Sequence, residues 1–312
     1  ALLSTFVPDP LLENVLHGRC DPYEVRERVH LHCSTYKAPQ RPLKHEDASL
    51  RKLTYVTRSY VLGTVQWQDP YQEGSLAAWR SGHEQMDWDL TIAGGDTRRR
   101  IFTQHPGHNG AEGAEHGYWT GDLFCNCSSH FQQGPVSLSL YEIPEGEPYQ
   151  WIHAYFPQAL FDNVVMEGTA IYAQSGDVYV MLLFSQDFTV TQEGPWKGVE
   201  LICPGNRVAV AAEAADRNAF VSFDAFIKAM KQNQMQLDQQ RMRLEYRSAR
   251  AGTLVLTRED RLVNGMRADL DYATYDSPYL FAPWDSGVIT LLYGKTKILC
   301  DFINWHMEKK DG

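Results

Sequence analysis

From Leu53 onward, apolar and polar residues alternate in short runs broken by Gly, Pro, Asn and Asp. That period of two is the mark of β-strands. Leu53–Gly63 comes first, and Gly63–Trp67 continues it beyond an expected bend or bulge at Gly63. Asp87–Ile92, Arg100–Thr103, Val136–Ile143, Trp151–Phe156 and Asn163–Met166 follow. Thr169–Tyr172 and Val178–Phe184 read as a hairpin about Ser175-Gly176-Asp177. Gly198–Ile202 and Arg207–Ala212 read as another about Pro204-Gly205-Asn206. Met242–Tyr246, Thr253–Thr257, Val288–Tyr293 and Lys297–Phe302 complete the series, and Val25–His32 alternates in the same way near the start. Two stretches break the pattern. Ser222 precedes Phe223, Phe226, Ile227 and Met230 at helical spacing, which predicts a capped helix around Ser222–Gln234. Asp9, Pro10, the leucines after them and Gly18 predict a short helix near residues 10–17. The expected fold is all-β: a large antiparallel β-sandwich with one inserted α-helix and a short N-terminal helix. A lead over residues 1–36 precedes a sandwich domain over 37–312.

Composition narrows the functional classes. A chain of 312 residues has room for one large β core. The net charge of −10 argues against nucleic-acid binding, which needs clustered Lys and Arg. The one dense basic run, Arg98-Arg99-Arg100, heads a strand; it reads as a solvated edge, with an anion contact as its functional alternative. No apolar stretch approaches the ~18–20 residues of a transmembrane helix. Six cysteines are too few for a disulfide scaffold, and Cys203 and Cys300, in apolar runs, read as buried thiols. The chain opens on Ala1-Leu2-Leu3 rather than Met, which points to a processed start or a piece of a longer protein. Sixteen Tyr and eight Trp suit a sheet protein, and sugar-stacking surfaces as well.

Phosphate loops, dinucleotide fingerprints and nucleophile elbows are absent, which leaves histidine, tyrosine and carboxylate chemistry. Four of the 11 histidines fall between His105 and His130, in a Gly-rich segment expected to be a long loop. His105, His108 and His116 could hold zinc in a cupin-like enzyme. Alternatively, His105, Tyr118 and His153 have the chemistry for moving protons on a sugar. His116 and Arg58 would then contact an anionic group, and Trp119 would stack on the sugar ring. Trp67, Trp88 and Trp151 sit inside strand patterns and are expected in the core.

The order of several phrases adds a resemblance. Tyr55-Val-Thr-Arg-Ser-Tyr60-Val-Leu-Gly63 precedes Trp88-Asp-Leu-Thr, Ile101-Phe-Thr-Gln-His105-Pro and Gly117-Tyr-Trp-Thr-Gly-Asp122. Gln132-Gln133, Asn206-Arg-Val-Ala-Val, Ser222-Phe-Asp-Ala-Phe226 and Leu244-Glu-Tyr246-Arg-Ser follow. Over roughly residues 20 to 300 this resembles the C-terminal β-rich half of heparinase II/III-like proteins. Members of that group pair a helical toroid with an antiparallel supersandwich and cleave uronate polysaccharides by β-elimination in the cleft between them. The resemblance implies an acidic polysaccharide or oligosaccharide as ligand and a helical toroid as companion. It also implies no cofactor and a secreted or periplasmic location. It makes His105 the sheet-side histidine and the helix near residues 10–17 a remnant of the toroid. A non-catalytic glycan-binding or structural β module is the competing expectation.

Overall fold

A computed structural model describes residues 22–30, 49–68, 88–106, 118–119 and 127–311. The helix expected near residues 10–17 lies outside them, as do His32, His108 and His116.

Three antiparallel sheets are stacked face to face. The largest has 13 strands. Its first part runs β12 (Thr189–Val190), β13 (Glu200–Pro204), β8 (Trp151–Tyr155), β5 (Arg100–Gln104), β4 (Trp88–Ile92), β3 (Tyr60–Gln68), β2 (Ser49–Val56) and β1 (Tyr23–His30). It continues through β20 (Tyr275–Asp276), β21 (Leu280–Ala282), β22 (Val288–Tyr293), β23 (Thr296–Asp301) and β24 (His306–Asp311). The middle sheet is β6 (Ser128–Gln133), β7 (Val136–Glu142), β14 (Arg207–Asp216), β11 (Val178–Phe184), β10 (Ala170–Ser175) and β9 (Asn163–Glu167). The third is β15 (Gln234–Asp238), β16 (Arg243–Ser248), β17 (Gly252–Leu256), β18 (Arg261–Val263) and β19 (Met266–Arg267).

The middle sheet is covered on both sides, which explains its sequence. Tyr141, Val178, Val180, Val208 and Val210 face Leu62, Trp88, Leu90 and Ile152 of the large sheet. Val136, Leu138, Tyr179 and Ala211 face Leu244, Tyr246 and Leu254 of the third sheet. A strand buried on both faces needs apolar or small residues at every position, so β11 and β14 read as nearly unbroken apolar runs, and β7 sets small Ser137 and Ser139 between its apolar residues. The helix α1 (Phe223–Met230) lays Phe226, Ile227 and Met230 into the second core. Ser222 caps it by accepting a 3.1 Å hydrogen bond from the Ala225 amide. Ser222→Ala should therefore cost about 1 kcal/mol in denaturant unfolding with little change in circular dichroism.

The all-β sandwich is as expected, with four local differences. Leu53–Gly63 is not one strand, because the chain reverses at Thr57–Ser59, and Gly63, where a bend or bulge is expected, sits mid-strand in regular register opposite Thr54 and Asp89. There the Thr57 hydroxyl accepts hydrogen bonds from the Ser59 and Tyr60 amides, forming a turn without Gly or Pro. Pro204-Gly205-Asn206 carries the chain from the large sheet to the middle sheet, because β13 pairs with β8 while β14 pairs with β7 and β11. The helix ends at Met230, and Gln234–Asp238 is a strand. The Gly-rich histidine segment ends in β6, whose His130 is buried with Nδ1 bonded to the Ser139 hydroxyl at 2.9 Å. No helix among the described residues is long and apolar enough to cross a membrane.

Candidate functional site

Alternation along three neighbouring strands builds a site on the outer face of the large sheet, away from the middle sheet. On β8, Ile152 and Ala154 point into the core, which puts Trp151, His153 and Tyr155 on the opposite face. On β5, Ile101 and Thr103 are buried inward, so Phe102 and Gln104 share the outer face. On β13, Leu201 and Cys203 point inward and Glu200 outward. The registers Phe102↔Tyr155↔Glu200 and Gln104↔His153↔Ile202 set these side chains in rows.

Tyr118 and Trp119 close over the rows. Trp119 stacks flat on the His153 ring at 4.2 Å and 7°, and meets Phe102, Tyr155 and Trp196 edge-on. Tyr118 approaches His153 edge-on at 4.8 Å and stacks with Trp196, with Tyr149 and Trp151 beside it. Phe102 and Tyr155 stack at 5.2 Å with their planes 4° apart. Trp119, Trp151, Tyr155 and Trp196 are each half-buried, so their surfaces are shared between the protein and solvent.

Beneath these rings lies a carboxylate–imidazole pair. Glu200 Oε1 accepts from His153 Nδ1 at 2.9 Å and from the Tyr118 hydroxyl at 2.5 Å. Its Oε2 accepts from the Thr191 hydroxyl at 2.7 Å. Burial would raise the Glu200 pKa, but these donors outweigh it and hold the group below its ordinary value. Burial is the largest influence on His153 and depresses its pKa against the opposite pull of Glu200 and the Tyr118 backbone. Burial and the Glu200 hydrogen bond both raise the Tyr118 phenol, which keeps its proton. An ionised carboxylate can only accept, so the shared proton sits on Nδ1 of a neutral His153. Nε2 then carries the lone pair; it is buried and makes no hydrogen bond of ordinary geometry among the described residues. A histidine poised this way can receive a proton at Nε2, with Glu200 steadying the ring.

Of the residues singled out in the sequence, Tyr118, Trp119 and His153 are together. His105 lies at the edge of the same cluster, where Nε2 donates to the Tyr149 carbonyl at 2.8 Å, a contact that positions the Tyr149 segment. Arg58 is elsewhere: it sits in the β2–β3 turn, with β3, β4 and β5 between it and β8, on the order of 15 Å away across the sheet. His108 and His116 fall outside the described residues, and no three His, Cys, Asp or Glu side chains gather as a metal site among those described. Trp88 is in the core as expected, whereas Trp151 belongs to the site. Glu200, Thr191, Tyr149 and Trp196 escaped the sequence reading. Two signals for the site were present: an acidic residue inside the apolar run Gly198–Ile202, and rings at alternate positions in Trp151-x-His153-x-Tyr155.

No protein family, curated protein or solved structure compared with the chain matches it.

Proposed function

We propose that this chain is the sheet half of a carbohydrate-active protein of the polysaccharide-lyase kind, lining a cleft for a uronate glycan. One observation carries the reading: half-buried rings surround a histidine whose tautomer is set by a buried carboxylate. Aromatic faces bind the apolar faces of sugars, and a neutral imidazole can take the proton beside a uronate carboxylate. In that step the C–H electron pair becomes a carbon–carbon double bond, and the glycosidic oxygen leaves. The oxygen takes a proton from an acid; Tyr118, protonated in the folded protein, has the right form.

A second reading has its own support. The His153 ring is fully covered beneath Trp119, so catalysis requires the Tyr118–Trp119 pair to lift from it. A non-catalytic glycan-binding module needs no such movement. Titration with uronate oligosaccharides, followed by tryptophan fluorescence, tests the shared part. Saturable binding is expected, weakened roughly tenfold by Trp151→Ala. Accumulation of an unsaturated, ultraviolet-absorbing product supports the lyase, binding without product supports the module, and absence of binding rejects both.

A further inference from the structure

We propose that Arg98 and Arg100, at one end of this aromatic strip, bind the carboxylate of a uronate whose ring lies on Tyr155. The proposal rests on the saccharide reading above and adds the position and chemistry of its anion contact.

Three arginines in a row are sorted to different places by the β4–β5 turn. Gly94 and Gly95 take positive φ values of 74° and 78°, which turn the chain back towards Arg100. The Arg99 guanidinium packs over Gly95, where a Cβ would stand 1.7 Å from Nη2, and Nη1 reaches the Ser175 hydroxyl at 3.3 Å. Arg99 is thus a structural link to the middle sheet. Arg100 opens β5 and shares the outer face with Phe102, two residues and ~7 Å further along the strand. Its Cζ stands 5.9 Å from the centre of the Phe102 ring, the ring that stacks on Tyr155. Both Arg98 and Arg100 lie within electrostatic reach of the Tyr155 hydroxyl.

Each guanidinium is held by its own carboxylate. Asp89 Oδ2 accepts from Arg100 Nε at 2.9 Å and lies 2.8 Å from its Nη2. Asp96 accepts from Arg98 through both oxygens, at 3.0 Å to Nε and 2.6 Å to Nη2. These pairs fix the side chains in place and so reduce the entropy lost on binding an anion. Each pair is neutral by itself; across Asp89–Arg100 two Asp against three Arg leave one net positive charge, that of Arg99 packed at the same turn, in a chain of net charge −10. Arg98 is 70% exposed and Arg100 37%, so both can be reached. A planar guanidinium beside a stacked ring suits a sugar acid, whose ring and carboxylate are rigidly joined.

Binding of a uronate oligosaccharide and of the neutral oligosaccharide with the same linkage separates this proposal from the platform on which it rests. The wild-type chain should favour the acidic ligand, less so as salt rises. Arg98→Ala, and Arg100→Lys with its planar fork removed, should weaken the acidic ligand about 10- to 100-fold and leave the neutral one unchanged. Arg98 is exposed, so its variant should melt as the wild type does. Equal losses for both ligands, or no loss for either, would overturn the arginine contact while the aromatic platform stands. Failure of the wild type to bind either ligand would overturn both.

Discussion

Replacing Glu213 by Ala is expected to lower the free energy of unfolding by about 3–5 kcal/mol, the largest stability effect foreseen for a single site in this fold. Glu213 lies on β14 in the middle sheet and is completely buried. Its Oε2 accepts from the Tyr246 hydroxyl, the Ser248 hydroxyl and Asn233 Nδ2, each at 3.0 Å. Arg250 Nη1 stands 3.5 Å from Oε1. Tyr246 and Ser248 belong to β16, so the carboxyl joins the middle sheet to the third. The carbonyl of the next residue, Ala214, accepts from Arg250 and, at 3.2 Å, from Tyr60 of the large sheet. One short stretch of β14 therefore ties all three layers. Alanine would take the acceptor from the Tyr246 and Ser248 hydroxyls and Asn233 Nδ2 and the counter-charge from half-buried Arg250, and removing one partner costs far more than the pair contributes.

The pH dependence of this site has a definite sign. Burial, the largest influence, raises the Glu213 pKa above its ordinary 4.5, although its donors and Arg250 pull the other way. The folded protein then keeps the proton at a pH where the unfolded chain has lost it. Stability from this group is complete below about 4.5 and declines as the pH rises through the higher folded value. Glu213→Gln keeps the acceptor oxygen and removes the ionisation, so its deficit should shrink as the pH rises. Urea midpoints for wild type and both variants at acid and neutral pH measure this. A Glu213→Ala loss under 1 kcal/mol would mean that the network is not what holds the layers together.

Much of the architecture was legible because strands covered on one or both faces leave strong patterns. Val136–Glu142 and Val178–Phe184 could hardly be anything else, and Ser222 announced its helix. The errors have physical causes. Thr57 makes a turn with a side-chain hydroxyl, which carries no Gly or Pro signal. Pro204-Gly205-Asn206 looks the same whether it joins partners within a sheet or passes between sheets; only the register tells them apart. His130 looked like loop chemistry, yet it is a core residue bonded to Ser139 across a strand pair. The site was half visible. Alternation placed His153 between two rings, but nothing local says that Glu200, 47 residues away in sequence, lies beside it. Long-range pairing of β8 with β13 does that, and pairing is what a single sequence reveals least.

In the full protein, under the lyase reading, His153→Ala is expected to lower kcat/KM at least about 100-fold. The variant has no Nε2 to receive the proton, while Trp119, Trp151 and Tyr155 still offer the sugar a surface, so oligosaccharide affinity should change much less. Glu200→Gln tests the pairing more finely. Because burial depresses His153 below its ordinary 6.5, activity that needs the neutral ring should rise with pH through a point below 6.5. Glu200 partly opposes that depression, so removing its charge should move this acid limb to still lower pH. The plateau should fall as well, since an amide holds the Nδ1–H tautomer less firmly than a carboxylate. The same pair makes the fold acid-sensitive. Both groups have folded pKa values below their ordinary 6.5 and 4.5, so their stability is present above those values and is lost as the pH falls towards the folded ones. Glu213 acts in the opposite direction, and only the variants separate the two contributions. An acid limb that stays in place in Glu200→Gln, or turnover untouched in His153→Ala, would remove the imidazole from the chemistry and leave the strip of rings as a surface that binds sugar without cleaving it.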